Sequence, residues 1–299
     1  SLINYILSKI EKNNNNIPKE IDFLDKAHQL IYKSKEKYNL ILIKYYLEIL
    51  SKNFNEIQIK KNNFSNSFSH LSPIFIIGLP RSGSTLVESL LSQSNEIFYS
   101  YGESGIIDYS IRDQIKKKMI ASSTDLEINE NELIDSINNF YFYSKDKNFI
   151  DKSLENFFYI DTILKVFPKA KFIHTYRNKY DAAIGIHQSM LMHLPWAHTI
   201  NNILNYIFNY EKIINYFNKK YPDKILSVNL ENLTFNPKKY TKKIFEFCNL
   251  DWSESVLKFY ENENLTSKSS SFLQIRGKIK KYKKNKYQSY YYLIKNKLI

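Results

Sequence analysis

Between residues 74 and 92 an apolar run, Ile74 Phe75 Ile76 Ile77, leads into Gly78 Leu79 Pro80 Arg81 Ser82 Gly83 Ser84 Thr85, and then into Leu86, Leu90 and Leu91 at helical spacing. Strand, tight turn and helix in that order place backbone N–H groups and a helix N-terminus where an anion can sit. Gly78 and Gly83 have the glycine spacing of a Walker A loop, yet Ser84 stands where that loop carries its lysine. The cation is instead Arg81, whose planar fork suits a bidentate oxyanion. For a nucleoside triphosphatase this exchange removes the group that reaches the β- and γ-phosphates. A plain strand-to-helix turn capped by Ser and Thr is the bland alternative; it leaves the arginine and the paired glycines without a reason.

Two other residue groups carry chemistry by type. His187, His193 and His198 invite a metal, but their spacing is neither i,i+4 on one helix face nor HExxH, and no carboxylate completes the set, so no metal is expected. Cys248 lies at an apolar helix end with Ile244, Phe245 and Phe247 and reads as a small buried residue. As the single cysteine it closes no internal disulfide, which excludes a disulfide scaffold and fits a reducing cytoplasm.

The elements that must position these groups alternate in type. Residues 1 to 56 read as helical, with Leu24, Ala27, Ile31 and then Leu40, Ile43, Leu47 on one face, and Asn62 to Ser69 reads as a linker. A brief strand at Asn148 to Ile150 precedes Asp151 Lys152 and a helix through Val166. Another strand, Lys171 to Tyr176, precedes Arg177 and a helix towards Met192, and Ile225 to Asn229 is a further strand. Pro195 to Phe217 and Pro237 to Cys248 read as helices, and the Lys/Tyr-rich tail from Lys278 as loop before a last helix. Strands alternating with helices predict an α/β, P-loop-like three-layer fold with a central parallel sheet, ligands lying beyond the carboxyl ends of the strands. The expected division is an N-terminal helical segment at 1–62 and the α/β domain at 73–299.

The chain of 299 residues carries 43 Lys and Arg against 30 Asp and Glu, a formal net charge of +13 and a pI near 9.3. Such a field concentrates anionic partners. Lys, Asn, Ile, Tyr and Phe nevertheless crowd the whole sequence, most lysines read as solvated surface, and no zinc-finger, RNP or basic-zipper pattern appears, so nucleic acid is disfavoured. No window of 18 uncharged apolar residues occurs and no apolar run follows a basic start, which leaves no membrane span and the cytoplasm as the expectation. Mean hydropathy of −0.43 with 43% hydrophobic residues excludes a disordered chain.

The segment Ile76 to Leu86 resembles the 5′-phosphosulfate loop of sulfotransferases that use 3′-phosphoadenosine 5′-phosphosulfate (PAPS), most closely that of tyrosylprotein sulfotransferases and bacterial relatives with tetratricopeptide repeats. The resemblance continues in order through Tyr101 Gly102 Glu103, Asp151 Lys152 Ser153, Phe167 to His174 with Arg177, Phe247 to Leu250, and Gln274 Ile275 Arg276. It implies that Arg81, Ser82, Gly83, Ser84 and Thr85 bind the 5′-phosphosulfate. It implies that Glu103 takes the proton of an acceptor hydroxyl, where the bland reading is a surface glutamate in a glycine turn. Lys152 would stabilise the transferring sulfuryl group, its alternative being a lysine at a helix start, where cations are disfavoured. Ser271 would help hold that group, although Ser269 and Ser270 adjoin it. Arg177 would bind the 3′-phosphate, with Lys286 as a late basic residue near the nucleotide. Three positions depart from the pattern: Gly185 replaces a 3′-phosphate serine and offers only a backbone N–H, Arg177 Asn178 Lys179 replaces Arg-Asp-Pro, and Leu230 replaces a tyrosine before Glu231.

The function so implied is sulfuryl transfer from PAPS to a hydroxyl, a protein or peptide tyrosine first and a carbohydrate or small-molecule hydroxyl as alternatives. The helical N-terminus would be the remnant of a repeat array. A P-loop kinase and a non-catalytic anion-binding protein of the same fold are the competing readings, and Ser84 in place of lysine weighs against the first.

Overall fold

The computed structural model describes residues 1–60, 68–97, 99–123, 125–141, 147–261 and 276–295. The chain divides into two compact units, one made of 1–52, 178–212 and 283–299 and the other of 53–177 and 213–282.

The second unit contains the sheet. Strands β1 (Ile74–Gly78), β2 (Tyr99–Ser100), β3 (Phe149–Asp151), β4 (Lys171–Tyr176) and β5 (Ile225–Asn229) lie in the order β2-β3-β1-β4-β5, every neighbouring pair parallel. β1 is buried at every residue, which is why it is apolar without alternation: both faces are covered. Ile74 and Ile76 join Val87, Leu90, Ile150, Ile173, Ile244 and Phe245 in one core layer. Phe75 packs among rings from Phe149, Phe167 and Phe172. Burying each such side chain contributes about 1.5–3 kcal/mol, so the strand that ends in the anion loop is anchored on both sides.

Helices α1 (Leu2–Asn13), α2 (Ile17–Ser34) and α3 (Glu36–Lys44), a π-helical turn at Tyr45–Leu50 and a last turn α4 (Ser51–Asn53) open the chain as expected. After β1 come α5 (Ser84–Leu91), then α6 (Ile106–Ile120) and α7 (Glu130–Tyr141). The sequence reading does not anticipate α6, α7 or β2. In α6 the buried aliphatic residues are Ile107, Ile111 and Ile115, a single i,i+4 row shared with polar Ser110 and Gln114, too narrow a stripe to stand out. A two-residue strand has no periodicity to read.

Between β3 and β4 a 3₁₀ turn at Leu154–Tyr159 leads into α8 (Ile160–Val166), and β4 is followed by α9 (Lys179–Ser189). The expected helix at 195–217 begins as a 3₁₀ turn, Pro195–His198, and continues as α10 (Ile200–Lys220); α11 (Leu230–Phe235), α12 (Pro237–Cys248) and the short α13 (Tyr292–Lys295) complete the order. Cys248 is buried, and burial pushes its thiol up to about 12, so it packs as an inert apolar group. Among the described residues no helix is long and apolar enough to cross a membrane.

The first unit packs α1 on α2 and seats the Pro195–His198 turn against α2, α3 and α9. Trp196 stacks on Tyr206 with ring centroids 3.7 Å apart. Within it His28, His187 and His198 are all buried.

Candidate functional site

In a parallel sheet of this order the crevice for ligands opens beyond the carboxyl end of the central strand, where neighbouring connections diverge. β1 ends there at Gly78, and the residues after it form the loop whose sequence makes it the candidate anion loop. Gly83 has φ of +94°, and a Cβ on it would lie 2.5 Å from Leu230 Cδ1. The conformation and the crowding both demand glycine. Leu230, where the family pattern has tyrosine, therefore packs directly on the loop. Arg81 is also in the left-handed region, φ +68°, an uncommon state for a non-glycine residue and one found at ligand-binding turns.

The loop is braced from β4. Ser82 Oγ donates to Leu79 O at 2.6 Å and shares a 2.7 Å hydrogen bond with Thr175 Oγ1, so its hydroxyl is engaged inside the protein. Ser84 and Thr85 begin α5, and the first backbone N–H groups of a helix have no carbonyl of their own turn to bond. Arg177, just past β4, sends Nη1 to Arg81 O at 3.2 Å and Nη2 to the Tyr282 hydroxyl, with its guanidinium 4.8 Å from the Tyr282 ring centroid. The two arginines found by sequence thus lie against one loop.

Beyond β2 and β3 a second group assembles. Lys152 is fully buried; its Nζ donates to Glu103 Oε1 at 2.6 Å and lies 3.6 Å from Glu88 Oε2. The Glu103 side chain is 44% exposed, so this ion pair faces solvent through the glutamate alone. The backbone aligns them: Tyr101 N donates to Ile150 O and Lys152 N to Gly102 O, each at 2.8 Å, continuing the β2–β3 pairing past the strand ends. Asp151 and Ser153 fix the same junction. Asp151, wholly buried, accepts from Ser104 Oγ, Tyr141 OH at 2.7 Å, Ser153 N at 2.8 Å and Asn156 Nδ2 at 3.1 Å. Ser153 Oγ accepts from Gly105 N at 2.7 Å. A carboxylate so fully hydrogen-bonded is a structural fixture. Burial lifts the Tyr141 hydroxyl well above the usual tyrosine range, and neighbouring Asp151 adds to it, so it stays a donor.

Glu88 is the member that sequence reading missed. It is the single charged residue of α5, Ser84–Leu91, and is 5% exposed. Burial pushes its carboxyl up, opposed by Lys152 and by the hydrogen bond from Ser100. The signal was a lone acid inside an otherwise apolar and hydroxylic helix directly after the anion loop.

Of the other expected residues, Ser271 lies outside the described residues. Gly185, in α9, and Lys286 belong to the first unit. The histidines are regrouped: His187 and His198 lie with His28, which spacing did not suggest. Among the described residues no group of three or more His, Cys, Asp or Glu could hold a metal ion.

The sulfotransferase family model matches residues 73–254. A curated relative, an uncharacterized protein of Aquifex aeolicus (strain VF5), is 26% identical over 309 residues covering 96% of this chain. The chain spans 39% of that relative's length. Among solved structures, the sulfotransferase domain from the Synechococcus PCC 7002 olefin synthase superposes with a TM-score of 0.55 at 20% identity, covering 76% of this chain and 92% of that domain, a likeness of fold. With the family model spanning more than half of the chain, from β1 and the anion loop to beyond β5, the chain belongs to the sulfotransferase family.

Proposed function

We propose that the protein transfers a sulfuryl group from PAPS to an acceptor hydroxyl, and that the acceptor is a tyrosine of a protein or peptide. The observation that carries this reading is the buried Lys152 paired at 2.6 Å with a half-exposed Glu103 in the same unit as the anion loop. A base within reach of solvent and a buried ammonium are what hydroxyl attack on a charged group asks for.

The residues present fit such a donor. Backbone N–H groups at the start of α5 would receive an oxyanion, and with the Ser82 hydroxyl engaged by Leu79 and Thr175 that residue would contribute through its N–H. Arg81 and Arg177, joined through the Arg81 carbonyl, would hold the phosphorylated groups of the nucleotide. When bound, the donor would bring an activated sulfuryl group, whose bond to the 5′-phosphate oxygen breaks as the acceptor oxygen bonds to sulfur, the nucleotide leaving with the bonding pair as 3′-phosphoadenosine 5′-phosphate. That group carries one negative charge fewer than a phosphoryl, so fixed donors can serve where phosphoryl transfer needs Mg²⁺. Glu103 accepts the proton of the acceptor hydroxyl on a carboxylate oxygen. A tyrosine hydroxyl, with an ordinary pKa near 10, is a poor nucleophile until that proton leaves. Lys152 then balances the charge that gathers on the oxygens around sulfur. A held arrangement of base and cation supplies this without reorganisation at the moment of reaction.

The test is calorimetric titration with 3′-phosphoadenosine 5′-phosphate (PAP), with ADP plus Mg²⁺ as competitor, followed by sulfuryl transfer to tyrosine peptides and to simple phenols. PAP is expected to bind, and Arg81→Ala and Arg177→Ala each to weaken it at least about tenfold. Binding of Mg²⁺-ADP in preference to PAP would overturn the donor assignment. Transfer to phenols with none to peptides would overturn the acceptor assignment alone.

A further inference from the structure

We infer that Glu88 is the permanent counter-ion of Lys152 and the positioning residue for both Lys152 and the turn that carries Glu103. This rests on the reading of that pair as the reacting groups.

Glu88 stands on α5, whose Val87, Leu90 and Leu91 are completely buried, and a carboxylate in such company is expensive without partners. Its two oxygens are treated differently. Oε1 accepts from Ser100 Oγ at 2.7 Å. Oε2 is buried with no hydrogen-bond partner among the described residues and faces Lys152 Nζ at 3.6 Å. Lys152 is thus shared, with a short bond to the solvent-facing Glu103 and a longer contact to the enclosed Glu88.

That asymmetry acquires a use once Glu103 acts as a base. On taking a proton Glu103 loses its charge and most of its hold on the ammonium. Glu88 keeps its charge, and its unfilled Oε2 gives Lys152 Nζ an acceptor that solvent does not contest. Lys152 therefore stays protonated through the step in which its first partner is neutralised. Glu88 also reaches the base itself: Ser100 Oγ accepts from Gly102 N at 3.3 Å, and Gly102 O accepts from Lys152 N at 2.8 Å, so α5, the β2 end and the β3 end are tied together around one carboxylate. Burial pushes the Glu88 carboxyl up, and Lys152 and the Ser100 hydroxyl are the groups that oppose it.

The experiment reads Lys152 directly. In the chain labelled with ¹³C at lysine Cε, with Lys152→Arg used to assign its signal, the Lys152 ammonium is titrated in wild type, Glu88→Gln and Glu88→Asp. E88Q is expected to lower the titration midpoint by about one pH unit or more. E88D, which keeps the charge but draws it back, is expected to give a smaller shift in the same direction and serves if E88Q does not fold. Turnover is measured alongside. E88Q should lower kcat at least about tenfold, with PAP affinity within about twofold, and move the alkaline limb of the kcat profile to lower pH. An unchanged midpoint in a folded variant overturns the proposal, as does a kcat loss that follows Tm with an unmoved pH profile. If wild type transfers no sulfuryl group, the functional reading fails, while the Lys152 midpoint still decides whether Glu88 is its counter-ion.

Discussion

Two polar clusters, one in each unit, are buried in opposite ways. In the second unit Glu88, Lys152 and Glu103 bring charges together with one side open to solvent, the Glu103 side chain being 44% exposed while Lys152 and Glu88 are enclosed. In the first unit His28, His187 and His198 form a buried cluster. His28 Nε2 donates to His187 O at 2.9 Å, so its Nδ1 must accept from His198 Nδ1, also at 2.9 Å, and His28 stacks on His187 with centroids 4.4 Å apart. Burial, with His187 beside it, holds His28 down to about 3, and burial holds His198 down to about 4. Asp25, at the rim, accepts from His187 Nε2 at 3.2 Å, and His193 adds a further repulsion to His198. A buried group without a partner charge is kept neutral by desolvation, whereas one buried between opposite charges stays ionised and can act on a ligand. The difference separates a packing device from a candidate reaction centre more clearly than residue type does, since histidine is the commoner catalytic residue.

The contrast can be broken in three ways. The largest effect is expected from Glu103→Ala, which should lower kcat by about 10²–10⁴-fold and leave PAP affinity nearly intact. Loss of PAP binding in that variant would make Glu103 part of donor binding and remove the base from the charged cluster. Next comes acid. Below the ordinary histidine pKa near 6.5 the unfolded chain takes up protons that folded His28 and His198 refuse, so stability is lost as pH falls from about 6.5 towards 4. Glu155, its carboxyl pushed up by burial to about 7, acts in the opposite sense over the same window, so the histidine contribution is read as a difference: between pH 6.5 and 5 the Tm of His28→Gln, followed by circular dichroism, should fall by at least about 2 °C less than that of the wild type. Equal slopes in the two proteins would mean that the cluster takes up protons as the unfolded chain does. The smallest effect is expected from Asp25→Asn: its carboxylate is half exposed, so losing the His187 contact should cost less than about 1 kcal/mol in urea unfolding. A much larger cost would show a rim ion pair holding the cluster.

Periodicity and glycine spacing made much of the second unit legible. β1, β4, β5, α5 and α12 lie where continuous apolar runs, turn residues and helical spacing put them, because those signals are local. The anion loop was legible for the same reason, its backbone being dictated within a few residues. β2 was not, since two residues hold no pattern, nor was α6, whose single row of isoleucines is diluted by Ser110 and Gln114. Leu230 read as a departure from a family pattern, and the fold makes it the side chain packed on Gly83.

By itself the sequence determined the strand-to-helix loop at 78–85, the parallel α/β character and the family, since each rests on short-range order along the chain. Tertiary structure decided the rest. Lys152 is 49 residues from Glu103 and 64 from Glu88, and no local rule pairs them. Their pairing follows from β3 lying between β2 and β1, which aligns the three chain ends that carry them. The same holds for His28, which meets His187 and His198 only through packing of distant helices. Charge state, too, is set by what surrounds a side chain, and burial belongs to the fold and not to the residue.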